Sequence, residues 1–168
     1  MSRALLLLIP ALVLQAQDSD VPRAVEVRPG IYILRGLPDE DTCAAIKRHR
    51  ISHVIDLRRD GEDNRNCQEE STRLNEMGVS YLRYAIGKEP PDADFDFLRN
   101  LMRDLPRGAR VIIHCTNGNR AAAAVCPWLV LDKGMSLNDA LRAAKKSGLQ
   151  LPETEQALRR YLKGRGIA

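Results

Sequence analysis

Residues 111–131 constrain the fold more than any other stretch. Val111-Ile112-Ile113 has the apolar, β-branched character of a short buried strand, and it runs through His114 into Cys115. Thr116-Asn117-Gly118-Asn119 is a tight polar turn, and Arg120 opens the apolar, helix-forming run Ala121 to Leu131. Strand, turn and helix in this order aim the turn's N–H groups and the positive end of a helix dipole into one small volume, which makes an anion site. Cys115 in that field is expected to be a thiolate near neutral pH. Arg120 offers a planar fork of donors suited to two oxygens of one phosphate. Gly118 allows a positive φ, and Asn119 is among the few other residues that tolerate a left-handed conformation.

The rest of the chain alternates strands with helices. Ala24–Val27 and Ile31–Leu34, separated by Pro29-Gly30, read as a hairpin. Pro38, Asp39 and Glu40 open a helix that runs to about Arg48. Ser52–Leu57 reads as a strand, 58–66 as a polar loop, Glu69–Met77 as a helix closed by Gly78, and Val79–Tyr84 as a strand. A loop over 85–93 leads to a helix capped by Asp94, whose apolar face is Phe95, Leu98, Leu101, Met102 and Leu105. After the apolar helix, Ser136 and Asp139 resemble a capping box, and Pro152 opens a last helix. The pattern predicts a single α/β domain over 24–168 with a mainly parallel four- to five-stranded sheet flanked by helices. In such sheets ligands sit at the carboxyl ends of the strands, where the Cys115 turn lies.

The 168 residues carry a formal net charge of +4. This balance suits an anionic substrate. No basic cluster is interleaved with aromatics, so a nucleic-acid partner is not expected. Arg3 followed by the apolar run 4–14 and Gln15-Ala16-Gln17 reads as a signal peptide over 1–16, with 17–23 as a linker. The mature chain would be periplasmic or secreted, with no membrane insertion after cleavage. In an oxidising compartment Cys43 and Cys67 are the candidates for a disulfide, whereas Cys126 on the apolar helix reads as a small core residue. No cysteine or histidine spacing matches a zinc site, and no metal or organic cofactor is expected. His49, His53 and Trp128 read as structural. Oligomeric state is not legible.

His114-Cys115-x-x-Gly118-x-Arg120 resembles the active loop of the cysteine-dependent protein tyrosine and dual-specificity phosphatases. The likeness extends over about residues 24–163. Ile31-Tyr32-Ile33-Leu34-Arg35-Gly36-Leu37-Pro38 resembles the start of that domain, and Val54-Ile55-Asp56-Leu57-Arg58 its second core strand. Lys133 to Leu141 resembles the stretch after its loop helix. The bacterial beta-lactamase-hydrolase-like subgroup is the nearest match. Two features differ from the usual pattern. Four residues rather than five separate Cys115 from Arg120, and Ala121 stands where a Ser or Thr usually follows the Arg.

The resemblance implies a phosphoester hydrolase acting through a phosphocysteine on Cys115. Arg120 and the amides of Thr116, Asn117, Gly118 and Asn119 would bind the phosphate. It places the acid for the leaving oxygen on the loop before the helix that precedes the Cys strand, with Asp92 first and Glu89 second. His114 would support the loop or simply fill the core. Arg58 would reach the site or form a surface salt bridge. The substrate would be a phosphorylated protein or a small phosphoester. Two rival readings remain: a rhodanese-like sulfurtransferase carrying a persulfide on Cys115, favoured by the four-residue spacing, and a non-catalytic anion-binding domain.

Overall fold

The computed structural model describes residues 17–62 and 67–167. The proposed signal peptide over 1–16 lies outside them, as do residues 63–66 of the polar loop. Six strands form one sheet: β1 (Gln17–Asp18), β2 (Ala24–Arg28), β3 (Ile31–Arg35), β4 (His53–Asp56), β5 (Ser80–Arg83) and β6 (Val111–Cys115). Their spatial order is β1-β2-β3-β6-β4-β5. The four strands β3, β6, β4 and β5 are parallel, and β1 and β2 add antiparallel on one edge. The mainly parallel sheet is as predicted, and a two-residue edge strand adds to its five longer strands. The extra strand comes from the segment read as a linker, where Gln17 pairs with Glu26 and Asp18 with Val25. The Ser19 hydroxyl fixes the turn that follows by donating to Val21 O and Ala24 O, and Val21 is fully buried.

The helices are α1 (Glu40–Arg48), α2 (Cys67–Glu76), α3 (Asp92–Asp104), α4 (Asn119–Leu131), α5 (Leu137–Lys146) and α6 (Pro152–Lys163). Strand alternation divides them between the two faces of the sheet. Ile31, Ile33, Ile55, Val111, Ile113 and Cys115 pack with α3, α4, α5 and α6. Tyr32, Leu34, Val54 and Ile112 pack with Ala45 and Ile46 of α1 and Leu74 of α2. The caps are local. Asp39 Oδ1 accepts the Thr42 N–H at the start of α1, and Ser136 Oγ accepts the Asp139 N–H at the start of α5. α4 is the central helix: Ala121–Ala124 are all at most 1% exposed, so their small side chains bring it close onto the sheet. Pro127 lies inside it, and the helix continues to Leu131. Among the described residues no helix is long and apolar enough to cross a membrane.

Candidate active site

The loop after β6 turns at Gly118, whose φ of +88° is a left-handed conformation, and α4 starts at the next residue. Glycine is required there on a second count. A Cβ at Gly118 would stand 2.4 Å from Ser147 O. Among the described residues the N–H groups of Thr116, Asn117 and Gly118 carry no hydrogen bond, so the turn keeps a row of free donors. Cys115 is fully buried at the floor of this turn. Its thiol faces Asn117 Oδ1 at 3.8 Å, and the same oxygen accepts the Asn119 N–H at 3.1 Å.

Asn119, predicted to bind phosphate through its amide, has a further role that local sequence does not show. Its buried side chain accepts the N–H groups of Gln150 and Leu151 at 2.8 and 2.9 Å and donates to Thr154 Oγ1 at 2.8 Å. Thr154 in turn donates to Lys88 O at 2.6 Å. One side chain thus ties the Cys115 turn to the α5–α6 corner and to the 85–91 loop.

Arg120 is held inside by main-chain acceptors. Its Nη1 donates to Leu57 O at 3.3 Å and Ile86 O at 3.0 Å, and its Nη2 reaches Thr116 Oγ1 at 3.3 Å. Nη2 also pairs with Glu62, a residue of the polar loop that spacing did not single out. Burial pulls the Glu62 carboxyl upward, but its bonds to Arg59 and Arg120 outweigh this and hold it below the usual carboxylate range. Nε of Arg120 makes no hydrogen bond among the described residues.

Behind the turn, on the α2 face, lies a buried charged cluster. Register pairs Asp56 with His114, and both are fully buried. Arg58, expected to reach the site or to form a surface salt bridge, does neither. It is fully buried and binds Asp56 through Nε at 2.9 Å and Nη2 at 2.6 Å, with Nη2 also on Glu70. His114 Nε2 lies 2.9 Å from Glu70 Oε1, and Tyr81 donates to Asp56 Oδ2 at 2.7 Å. Burial alone would raise the Asp56 carboxyl. The Arg58 bonds, His114, the Arg58 amide and Tyr81 prevail and hold it at about 2. Ligand atoms of Asp56, Glu70 and His114 lie within 4.8 Å of one another, a spacing a cation could use, but the Arg58 guanidinium already pairs with both carboxylates there. The cluster lies beside His114, the residue next to Cys115.

Among the described residues Asp92 makes no hydrogen bond or ion pair with the Cys115 turn. It is the first residue of α3 and pairs with Arg165 at 3.3 Å. Arg165 follows the end of α6 and folds back to donate to Tyr161 O and Asp96. Glu89 is exposed and follows Lys88, whose carbonyl is bonded to Thr154. Asp94 is not a cap either: α3 begins two residues earlier, and Asp94 Oδ1 accepts the Tyr84 hydroxyl at 2.9 Å.

Cys43 and Cys67 are free thiols rather than a disulfide. Cys43 faces Arg73 Nη1 at 3.9 Å in a cleft of about 280 Å³ between α1 and α2. Cys67 sits near the charges of Arg58 and Asp56, and burial raises its pKa. Cys126 is a core residue, and burial pushes its thiol up to about 12. Trp128 is 4% exposed, and His53 Nδ1 bonds Ser52 Oγ at 2.8 Å, both in structural settings.

A thiol at the floor of a donor-rich turn, with a buried guanidinium beside it at the carboxyl ends of parallel strands, sits on the fold of the cysteine-dependent protein tyrosine and dual-specificity phosphatases. Among solved structures the chain is similar to Tk-PTP, with a TM-score of 0.70 and 22% identity over 88% of this chain and 99% of that one. It is similar to a DUF442 protein from Shewanella putrefaciens CN-32, with a TM-score of 0.69 and 17% identity over 86% and 94% of the two chains. It is also similar to TpbA from P. aeruginosa in complex with pTyr, with a TM-score of 0.67 and 20% identity over 92% and 93%. No family model and no curated protein sequence matches the chain.

Proposed function

We propose that the protein is a phosphatase that works through a phosphocysteine on Cys115. The observation that supports this reading is the turn after Cys115, whose amides at Thr116, Asn117 and Gly118 carry no hydrogen bond among the described residues and whose Thr116 hydroxyl is met by Arg120. The pTyr complex of the similar protein TpbA supports a phosphoester substrate.

The Cys115 thiolate attacks phosphorus in line. An S–P bond forms as the ester P–O bond breaks, and Glu89 gives its proton to the leaving oxygen. The turn amides and Arg120 carry the charge on the three remaining oxygens. Water then attacks phosphorus, the Glu89 carboxylate takes its proton, and the S–P bond breaks to release inorganic phosphate and the thiolate. Asn117 swings off the sulfur before the first step, because its Oδ1 stands over the thiol.

The test is release of 4-nitrophenol from 4-nitrophenyl phosphate by the wild type, Cys115→Ser and Arg120→Lys. Both variants lose turnover. Undiminished release by Cys115→Ser refutes the mechanism, and a mass increase of one sulfur atom at Cys115 after thiosulfate treatment, without phosphate release, supports sulfur transfer instead.

A further inference from the structure

We propose that Arg35 and Lys88 form a second anion subsite at the mouth of the Cys115 turn, so that the preferred substrate carries another anionic group beside the scissile phosphate. The proposal rests on the phosphatase reading and adds a substrate class to it.

Arg35 is the last residue of β3, and the parallel register pairs it with Cys115 of β6. Neighbouring strands lie about 4.8 Å apart, and register partners in a parallel pair project to the same face. Ile31 and Ile33 pack on the Cys115 face, and Arg35 continues their alternation. The contact at Gly118 supports this: a Cβ there would lie 3.2 Å from Arg35 Cγ, so the stem of Arg35 runs under the turn. Its stem is fixed while its guanidinium is exposed and makes no hydrogen bond or ion pair among the described residues. Arg23, also at this edge of the sheet, is committed to Asp39 and Leu37 O.

Lys88 lies on the opposite flank. Its carbonyl is held by Thr154, which is bonded to Asn119 of the turn, so its backbone is anchored to the loop network. Its side chain is exposed and likewise makes no ion pair among the described residues. Two uncommitted cations therefore bracket the phosphate position, each on backbone that the turn itself fixes. Neither is needed for the phosphate in the turn, which has Arg120 and the amides. A second anion on the substrate is the chemistry that would use them.

The experiment compares kcat/KM for 4-nitrophenyl phosphate, a doubly phosphorylated sugar, and tyrosine-phosphorylated peptides with and without an adjacent glutamate. It uses the wild type, Arg35→Ala, Arg35→Lys and Arg35→Ala/Lys88→Ala. Arg107→Ala, which removes an exposed cation at the opposite end of β6, serves as the control. A charge-assisted contact predicts that Arg35→Ala loses about tenfold or more on substrates with a second anion and far less on 4-nitrophenyl phosphate. Arg35→Lys recovers part of that difference, and the double variant widens it. The sugar and peptide arms show which source of the second anion is used. Equal losses on all substrates, or none, overturn the subsite. If the wild type turns over no phosphoester, the phosphatase reading fails by itself. Titration with inorganic phosphate and pyrophosphate then decides the subsite. A pyrophosphate preference that Arg35→Ala abolishes upholds it, and equal affinities overturn it.

Discussion

The Cys115 thiol donates to Asn117 Oδ1 across 3.8 Å, and that oxygen also takes the Asn119 N–H at 3.1 Å. An amide oxygen of the protein thus occupies ground that an oxygen of the substrate would need. Asn117→Ala uncovers both the sulfur and one turn amide. In a Cys43→Ser/Cys67→Ser background, iodoacetamide is expected to label Cys115 of this variant severalfold faster than the parent, read by mass spectrometry. Equal labelling rates would show that the side chain does not guard the thiol.

Glu62 makes the same kind of claim on Arg120. Its carboxylate is kept ionised by Arg59 and Arg120 and sits on the Nη2 that faces Thr116. Glu62→Gln removes a competing negative charge. Inhibition of aryl phosphate turnover by inorganic phosphate is expected to tighten severalfold. Weaker inhibition would mean instead that Glu62 steers the guanidinium.

Asp92 and Glu89 can be told apart by substitution. Asp92→Asn breaks only an exposed pair with Arg165, and kcat is expected to stay close to the wild-type value. Glu89→Gln removes the acid, so kcat should fall by roughly a hundredfold on esters with poor leaving groups and less on 4-nitrophenyl phosphate. A larger loss in Asp92→Asn than in Glu89→Gln would reverse the assignment.

The Asp56 carboxyl is held at about 2 against an ordinary value of 3.8. A depressed folded-state value means stability that is present above the unfolded pKa and lost as pH falls through the folded one. The shift is worth about 2 kcal/mol, lost between about pH 4 and pH 2. Thermal melts of the wild type and Asp56→Asn should therefore differ most above pH 4 and converge toward pH 2. A pH-independent gap would place the acid sensitivity elsewhere.

Much of the site was legible because it is local. Strand, cysteine, glycine, arginine and helix follow one another within Val111–Leu131, and the fold delivers them together as their order requires. The hairpin, the Ser136 cap and the alternating elements were readable for the same reason. What escaped depends on distant segments meeting. Arg58 looked like a surface residue because its partners are the preceding strand and a helix turn twelve residues away. The pair that Asp92 makes with Arg165 joins residues 73 apart, which no local pattern marks. Glu62 stands 58 residues before the guanidinium it meets, with no motif to mark it. The 17–18 strand is two residues long and carries no alternation to read.

The crossing of Gly118 and Gly148 has a consequence for the whole architecture. An added Cβ at Gly118 would strike Ser147 O, and one at Gly148 would stand 2.7 Å from Asn117 O. The turn is therefore cast against a mould supplied by residues thirty positions downstream. A chain shortened to end after Leu131 would retain sulfur and guanidinium yet lose the surface that gives the turn its shape. The corner between the last two helices thus shapes the Cys115 turn as much as the strand that leads into it.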